Sequence, residues 1–355
     1  MSHPEDSDVE DAKDYKRGGY HTVAIGDTLG KYTVVRKLGW GHFSTVWLCK
    51  GEKSHVALKV MKSAKKYTET AKDELKLLKK VSQTAANFEV NVVCLVDDFR
   101  HFGPNGTHIC IAMEVLGHNL LKLIRKFPKG VSSSIVRRIA SQVLSGLAFL
   151  HDECEIIHTD LKPENIMIVL PPKNMDALIN GVVMPMEDYS DIRVKIADLG
   201  NACWTFKHFT EDIQTRQYRS PEVLLGASYN VSTDIWSLGC ILFELLTGDY
   251  LFDPHSSDEY TRDEDHMAQI LELLGKVPNH KIHGKYARDI FTRKGELRNI
   301  EELNYWPLHR VLEEKYNFRE KSAQQTAEFL LTLLDFDWKK RIRAADALKL
   351  EWLNK

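Results

Sequence analysis

The stretch IIHTDLKPENIMI, residues 156–168, sets three chemically distinct side chains at fixed spacing among apolar neighbours. Asp160 can accept a proton from a hydroxyl, Lys162 can neutralise a phosphoryl group in transfer, and Asn165 can offer an amide oxygen to magnesium. Further on, KIADLG ends an apolar, strand-like run at Asp198, a hard oxygen ligand for the same cation. Upstream, LGWGHFSTVW (38–47) carries Gly39 and Gly41 in a turn between two strand-like runs. Glycines there let backbone N–H groups approach phosphate oxygens without a Cβ in the way. Lys59 follows in VALKV, and Glu74 comes one helix later, where it can pair with the lysine and fix its amine on phosphates. Each signal alone has a plainer account: a hairpin turn, a solvated edge lysine, a helix-surface charge, or acids capping local turns. The combined order of G-x-G, strand Lys, helix Glu, H-x-D-x-K-x-x-x-N and D-x-G defeats that account, because coincidence across all of them is very improbable.

Short β-branched runs, YTVVRKL, STVWLCK and HVALKVM, alternate with the turn-like GWGHF and GEKS between Tyr32 and Met61, which predicts an antiparallel meander. TETAKDELKLLKK (68–80) has helical spacing, with Ala71, Leu75 and Leu78 on the apolar side and Glu74 free to point elsewhere. VVCLVDDF and HICIAMEVL are two more strand candidates joined through GPNG, so five strands and one helix make a small β-rich lobe ending near Leu116. The remainder reads as mainly helical. SIVRRIASQVLSGLAFLH places Ile135, Ile139, Val143, Leu147 and Leu150 on one stripe. TDIWSLGCILFELLTG is apolar on nearly every face and predicts a helix buried all round, stopped by Gly248. The fold class is therefore α+β. Residues 1–20 form an acidic extension without a core of its own, 21–116 the β-rich part and 117–355 the helical part, with 170–192 a proline-containing surface insertion.

A chain of 355 residues exceeds what one small core serves, so two packed lobes are expected. A net charge of −2 excludes a polycation seeking nucleic acid, and the acidic runs PEDSDVED and SDEYTRDED read first as solvated faces that could meet a basic partner. The six cysteines are scattered without a C-x-x-C pair, which points to buried thiols in a reduced compartment rather than disulfides or a zinc site. No signal peptide and no membrane-spanning apolar run is seen, and the sequons at Asn105 and Asn230 read as chance matches.

Taken in order, these residues resemble the protein-kinase signature set over residues 32 to about 353. Lys162 in DLKPEN is similar to the serine/threonine class, and QTRQYRSPE (214–222) resembles the substrate-binding end of an activation segment. By the same resemblance Glu222 would pair with Arg341 of WKKRIRA as a buried ion pair. Arg219 and an insertion at roughly 249–305 look like the group that holds MAP kinases, cyclin-dependent kinases and LAMMER kinases. LGWGHFSTVWL, IIHTDLKPEN, IADLGNACW and IQTRQYRSPEVLLGA are closer still to the SR-protein kinases, which phosphorylate serines in arginine–serine repeats of splicing factors.

The resemblance implies a bilobal protein-kinase fold with a small β-rich N-lobe and a larger helical C-lobe, and ATP and Mg2+ as cofactors. Adenine would lie between Leu38, Val46, Ala57 and Leu116, with Glu114 and Leu116 as hinge and Met113 as gatekeeper. Gly39, Trp40, Gly41, Lys59 and Glu74 would serve the phosphates, Asn165 and Asp198 the metal, and Asp160 with Lys162 the catalysis. Asp249, Asp265 and Glu272, with Lys315 nearby, match the family's docking groove, whose carboxylates suit arginine. It further implies arginine–serine-rich splicing factors as protein substrates, a monomer in cytoplasm and nucleus, and no direct contact with nucleic acid or membrane. Relatives often carry a long spacer where only 170–192 stands here.

Three positions depart from the general kinase pattern: Ser44 for the third loop glycine, Leu199 for the phenylalanine of D-F-G, and Thr159 for the arginine of H-R-D. That arginine normally anchors a phosphorylated activation loop. With it missing and the span 198–222 short, activity without loop phosphorylation is expected. A LAMMER- or DYRK-type kinase is the competing enzyme reading, although EDHMAQILELLG carries no LAMMER-like string. A pseudokinase scaffold is disfavoured because Lys59, Glu74, Asp160, Lys162, Asn165 and Asp198 are all present.

Overall fold

β-Branched and aromatic residues build the sheet near the N terminus: β1 (Thr28–Leu29), β2 (Tyr32–Gly41), β3 (Ser44–Lys50), β4 (His55–Met61), β5 (Leu95–Gly103) and β6 (Gly106–Met113). In the computed structural model, which describes residues 10–86, 89–180 and 189–354, the six strands are antiparallel in the order β1-β2-β3-β4-β6-β5. The predicted meander holds for β2 to β4. The sixth strand, β1, is too short to leave a sequence pattern, and β6 rather than β5 pairs with β4. One face of the sheet collects Leu29, Tyr32, Val34, Trp47, Cys49, Val56, Leu58, Val60, Cys110 and Ala112 into a core cluster. Each such buried aliphatic side chain contributes roughly 1.5–3 kcal/mol.

Packing divides the chain into two compact units. One comprises Met1–Gly117, Val169–Glu187 and Asp198–Gly200; the other comprises His118–Ile168, Asp188–Ala197 and Asn201–Lys355. In the first, α1 (Lys65–Thr84) buries Ala71, Leu75 and Leu78 as predicted. Glu74 does not point elsewhere: it is 2% exposed, because the i, i+3, i+4, i+7 pattern puts it inside the same stripe. Residues 10–20 also differ from the expected coreless extension, since Glu10 and Tyr20 are buried in this unit; most of PEDSDVED lies outside the described residues. Of the predicted insertion 170–192, a short helix α4 (Met175–Ile179) is tied to β2 by Arg36, whose Nη1 donates to the Leu178 carbonyl at 2.8 Å. Its residues 181–188 lie outside the described residues.

The second unit is mainly helical, with α2 (Leu120–Lys126), α3 (Ser133–Ala148), α5 (Pro221–Leu224), α6 (Ser232–Thr247), α7 (Arg262–Leu274), α8 (Ala287–Ile290), α9 (Leu308–Arg310) and α10 (Glu320–Leu333) among its elements. On α3 the buried arc runs through Val136, Ile139, Ala140, Val143, Leu144 and Leu147, so Ile135 at its edge is only half-buried. Every residue of α6 is buried, as its unbroken apolar run predicts, and Gly248 ends it at φ +86°, a left-handed conformation that glycine adopts without strain. Two short antiparallel pairs, β7 (Ile156–Ile157) with β10 (Cys203–Trp204) and β8 (Ile166–Ile168) with β9 (Val194–Ile196), bracket the stretch 158–165. None of the six cysteines is in a disulfide; five are buried and Cys94 is half-buried. Among the described residues no helix is long and apolar enough to cross a membrane.

Candidate active site

Strand register builds the first group of residues. Val46 stands opposite both Gly39 and Lys59, and Ala57 opposite Met113. Directly opposed residues share a face of a sheet, so Val46, Ala57, Lys59 and Met113 line up on the face that turns away from the core cluster. Leu38, Val46, Ala57, Met113, Glu114 and Leu116 are all only half-buried. Gly39 and Gly41 do not sit in the turn, as the sequence suggested; they end β2, and His42 and Phe43 make the turn. A Cβ built on either glycine meets no atom within 4 Å. The chain's own packing therefore does not require glycine there, which fits a hairpin whose backbone is meant to be approached from outside.

Lys59 lies between two carboxylates, 2.7 Å from Glu74 Oε1 and 3.1 Å from Asp198 Oδ1. Burial alone would depress the lysine pKa, but Asp198 and Glu74 outweigh it and hold the ammonium above its ordinary value. Burial raises the Glu74 carboxyl while the ammonium pulls it down. We take the pair as charged, since the hydrogen-bonded lysine neutralises the buried acid directly. Asp198 adopts φ +60° two residues beyond β9, and Gly200 follows it closely: a Cβ there would sit 3.1 Å from Asp198 Oδ1 and 3.6 Å from Glu74 Oε2. The glycine of D-x-G thus keeps space beside the carboxylates. Leu199 is buried, an apolar stand-in for the usual aromatic.

The second group forms on the loop between β7 and β8. Its backbone is held by Asp234 of α6, which accepts the N–H groups of His158 at 2.8 Å and Thr159 at 2.9 Å, with His151 Nε2 at 2.8 Å. Asp234 is 0% exposed; burial would raise its pKa, but the His151 contact and the backbone donors win and lower it. Sequence reasoning missed this residue. The signal was there, since an acid in a helix buried on every face needs strong partners. Asp160 Oδ2 accepts Lys162 Nζ at 2.8 Å, and Asp160 Oδ1 accepts the Thr215 hydroxyl at 2.7 Å. Asn165 donates Nδ2 to the Asp160 carbonyl at 2.9 Å, which leaves its amide oxygen as the group able to face a cation. Thr215 was quoted within QTRQYRSPE but not singled out.

Thr159, in place of arginine, is 1% exposed and at φ +65°. Its hydroxyl donates to the Asn201 carbonyl at 2.7 Å and its own carbonyl accepts Gln214 N–H at 2.9 Å. Gln214 in turn donates Nε2 to the Thr233 carbonyl at 3.0 Å and to Ser237 Oγ at 2.9 Å, and accepts Ser220 N–H at 2.9 Å. Thr159 and Gln214 thus hold the segment through neutral hydrogen bonds, beside an ion pair of Arg216 with Asp263 of α7. Glu222 and Arg341 form the bidentate buried pair foreseen, at 2.8 and 2.9 Å, and Arg341 also donates to the Ser232 and Asp335 carbonyls.

The four docking candidates also lie in the second unit. Asp265 and Glu272 project from α7 on either side of Gln269, all three half-buried. Asp265 Oδ2 accepts His255 N–H at 2.8 Å, and Glu272 Oε1 accepts Asn304 N–H at 2.9 Å. Asp249 takes Lys315 Nζ at 3.3 Å and the Tyr316 hydroxyl at 2.8 Å. The structure therefore joins Asp249 to Lys315 and places Asp265 with Glu272 on one helix.

This α+β fold, with a glycine-bearing hairpin, a lysine between two acids and a loop carrying Asp160, is that of a protein kinase, and residues 32–353 match the protein kinase domain. The chain is 40% identical to protein kinase dsk1 of Schizosaccharomyces pombe over 97% of its length and 85% of that protein's. It is 43% identical to serine/threonine-protein kinase SRPK of Physarum polycephalum and 37% to human SRSF protein kinase 3, covering 91% of each. It belongs to the SR-protein kinase family and is a serine/threonine protein kinase. The alignments to the yeast and human relatives run over 460 and 516 positions, so those relatives carry segments that this chain of 355 residues lacks.

Proposed function

We propose that the chain uses ATP and Mg2+ to phosphorylate serines within arginine–serine repeats of splicing factors. The observation that carries the chemistry is the Thr215 hydroxyl seated on Asp160 at 2.7 Å, which models how this carboxylate receives an alcohol. A serine hydroxyl in that position would pass its proton toward Asp160, while Lys162 offsets charge on the phosphoryl group. In the first unit Leu38, Val46, Ala57 and Leu116 would hold the adenine, Gly39 to Gly41 would offer backbone N–H groups to the phosphates, and Glu74 would keep Lys59 aimed at them. Asn165 in the second unit and Asp198 in the first are each the candidate cation ligand of its own unit in this reading. Among the described residues no cluster of three His, Cys, Asp or Glu side chains could hold a metal, so a cation here would also draw on phosphate oxygens. When bound, magnesium would neutralise the charge of the transferring group.

The substrate class is supported by the relatives' kinship and by the acids of the second unit. Asp265 and Glu272 each keep a second carboxylate oxygen beyond the one that holds a backbone N–H, and arginine's fork suits such an acceptor. Kinase assays across Arg-Ser, Lys-Ser and Ser-Pro repeat peptides should rank Arg-Ser first. The double variant Asp265→Asn/Glu272→Gln keeps the backbone acceptors but removes the charge. Its KM for the Arg-Ser peptide should rise about tenfold at constant kcat, two partly exposed charges at roughly 0.7 kcal/mol each; an unchanged KM discards these acids as docking groups.

We propose also that activity does not depend on a phosphorylated activation segment, because neutral bonds through Thr159 and Gln214 do the ordering. Phosphatase treatment of the purified protein should leave the rate within about twofold, on the scale of a neglected surface contact. Loss of most activity would reject this reading.

A further inference from the structure

Residues 10–20 form a strap whose polar groups are spent on the first unit. Ala64, which opens α1 without a side-chain cap, donates its N–H to the Gly18 carbonyl at 2.9 Å, and Ser63 N–H reaches the Gly19 carbonyl at 3.1 Å. Asn105 ties both ends of the return, accepting Gly18 N–H at 3.0 Å and donating Nδ2 to the Tyr20 carbonyl at 2.7 Å. The return is so tight that a Cβ on Gly19 would lie 1.8 Å from the Asp14 carbonyl oxygen. Lys62 locks the strap from below, with Nζ 2.7 Å from Asp14 Oδ2 and 4.2 Å from the centre of the Tyr20 ring. Glu10 adds contacts to Tyr15 and to Lys37 of β2.

All this places one hydroxyl. Tyr20, 1% exposed, donates to the carbonyl of Gly41 at 2.8 Å, at the tip of the glycine-bearing hairpin. In a trans peptide the carbonyl and the following N–H point in opposite directions, so holding the Gly41 oxygen sets the direction of the His42 N–H. The side chains of the tip are open, Trp40 and Phe43 being 39% and 45% exposed; its backbone is held by Tyr20 at Gly41 and by Lys62 N–H at the Phe43 carbonyl, 2.9 Å away. The strap therefore reaches the turn through Tyr20, which holds the Gly41–His42 peptide unit, while Lys62 N–H, directly after β4, holds the Phe43 carbonyl.

We propose that Tyr20 is a positioning residue for nucleotide binding: its hydroxyl pre-sets the hairpin peptide that meets the phosphates. This rests on the reading of the hairpin as the phosphate-binding turn. Pre-organisation of a loop appears as ligand affinity, since the ordering is then already done when the ligand arrives. A single neutral hydrogen bond corresponds to about fivefold in an equilibrium constant.

The test is Tyr20→Phe in the full chain, which keeps the ring against Lys62 and removes only the hydroxyl, with Gly41→Val alongside. Dissociation constants for ADP with Mg2+ are read by titration, KM values for ATP and an Arg-Ser peptide by steady-state kinetics, and folding by thermal melting. Tyr20→Phe should weaken ADP binding and raise the ATP KM about fivefold, with the peptide KM and the melting midpoint nearly unmoved. If Gly41→Val weakens ADP binding but Tyr20→Phe does not, the strap proposal falls and the hairpin reading stands. A lowered midpoint with unchanged ADP affinity would make Tyr20 merely a core residue and overturns the proposal. If neither variant changes ADP affinity, the hairpin reading falls and the proposal with it.

Discussion

Asp160→Asn should transfer phosphate at least about a thousandfold more slowly than the parent, within the range that a positioned general base contributes. The substitution keeps the size of the side chain and an oxygen for the Thr215 hydroxyl or for Lys162, both of which contact Asp160 directly. What it removes is the charge that receives the alcohol's proton. The ATP KM should move little, because the residues assigned to the adenine and to the glycine hairpin and Lys59–Glu74 pair lie on the β-sheet, on α1 and just after β6. Steady-state kinetics with a repeat peptide checks this, beside a thermal melt to show that the loop still folds; the His158 and Thr159 N–H groups remain bonded to Asp234 whatever stands at position 160. A parent-like rate in the asparagine variant would remove Asp160 from the chemistry. It would leave the family assignment, which rests on the whole chain, untouched.

Arg341→Met should destabilise the second unit by about 3–5 kcal/mol, the usual consequence of leaving one member of a buried ion pair alone. The argument is local. Both side chains are fully buried, the two guanidinium–carboxylate bonds measure 2.8 and 2.9 Å, and the carbonyls of Ser232 and Asp335 lose their donor as well. At roughly 2–4 °C of melting midpoint per kcal/mol for a unit of this size, the shift should be about 6–20 °C. Adding Glu222→Gln should recover part of it by removing the stranded charge. A midpoint within 2 °C of the parent would mean that water or another cation satisfies Glu222, contrary to its burial. Activity should fail with the fold rather than before it, since Glu222 anchors α5 at the end of the segment that carries Gln214 and Thr215.

Much of this is legible in the residues themselves. The short β-branched runs YTVVRKL and STVWLCK between turn-like segments, and the unbroken apolar run of TDIWSLGCILFELLTG, specify element type through local sterics and burial alone. The spacing of Asp160, Lys162 and Asn165 is equally local, so the loop could be read as chemistry from its residues. Glu74 was misjudged in orientation because amphipathic reasoning sorts by polarity, and here a carboxylate shares the buried stripe. Its pairing with Lys59, by contrast, was anticipated from order along the chain.

Residue types and short-range spacing, printed in the chain, therefore determined what chemistry this protein carries, which elements frame it and to which family it belongs. Only the folded structure decided that Asp234 holds the backbone of the loop carrying Asp160, that Thr159 is bonded to Asn201 and Gln214, and that Tyr20 reaches Gly41. The reason is physical. Those hydrogen bonds join groups from 21 to 76 residues apart, where no periodicity links donor to acceptor, and each side chain is ordinary until burial removes water as its alternative partner.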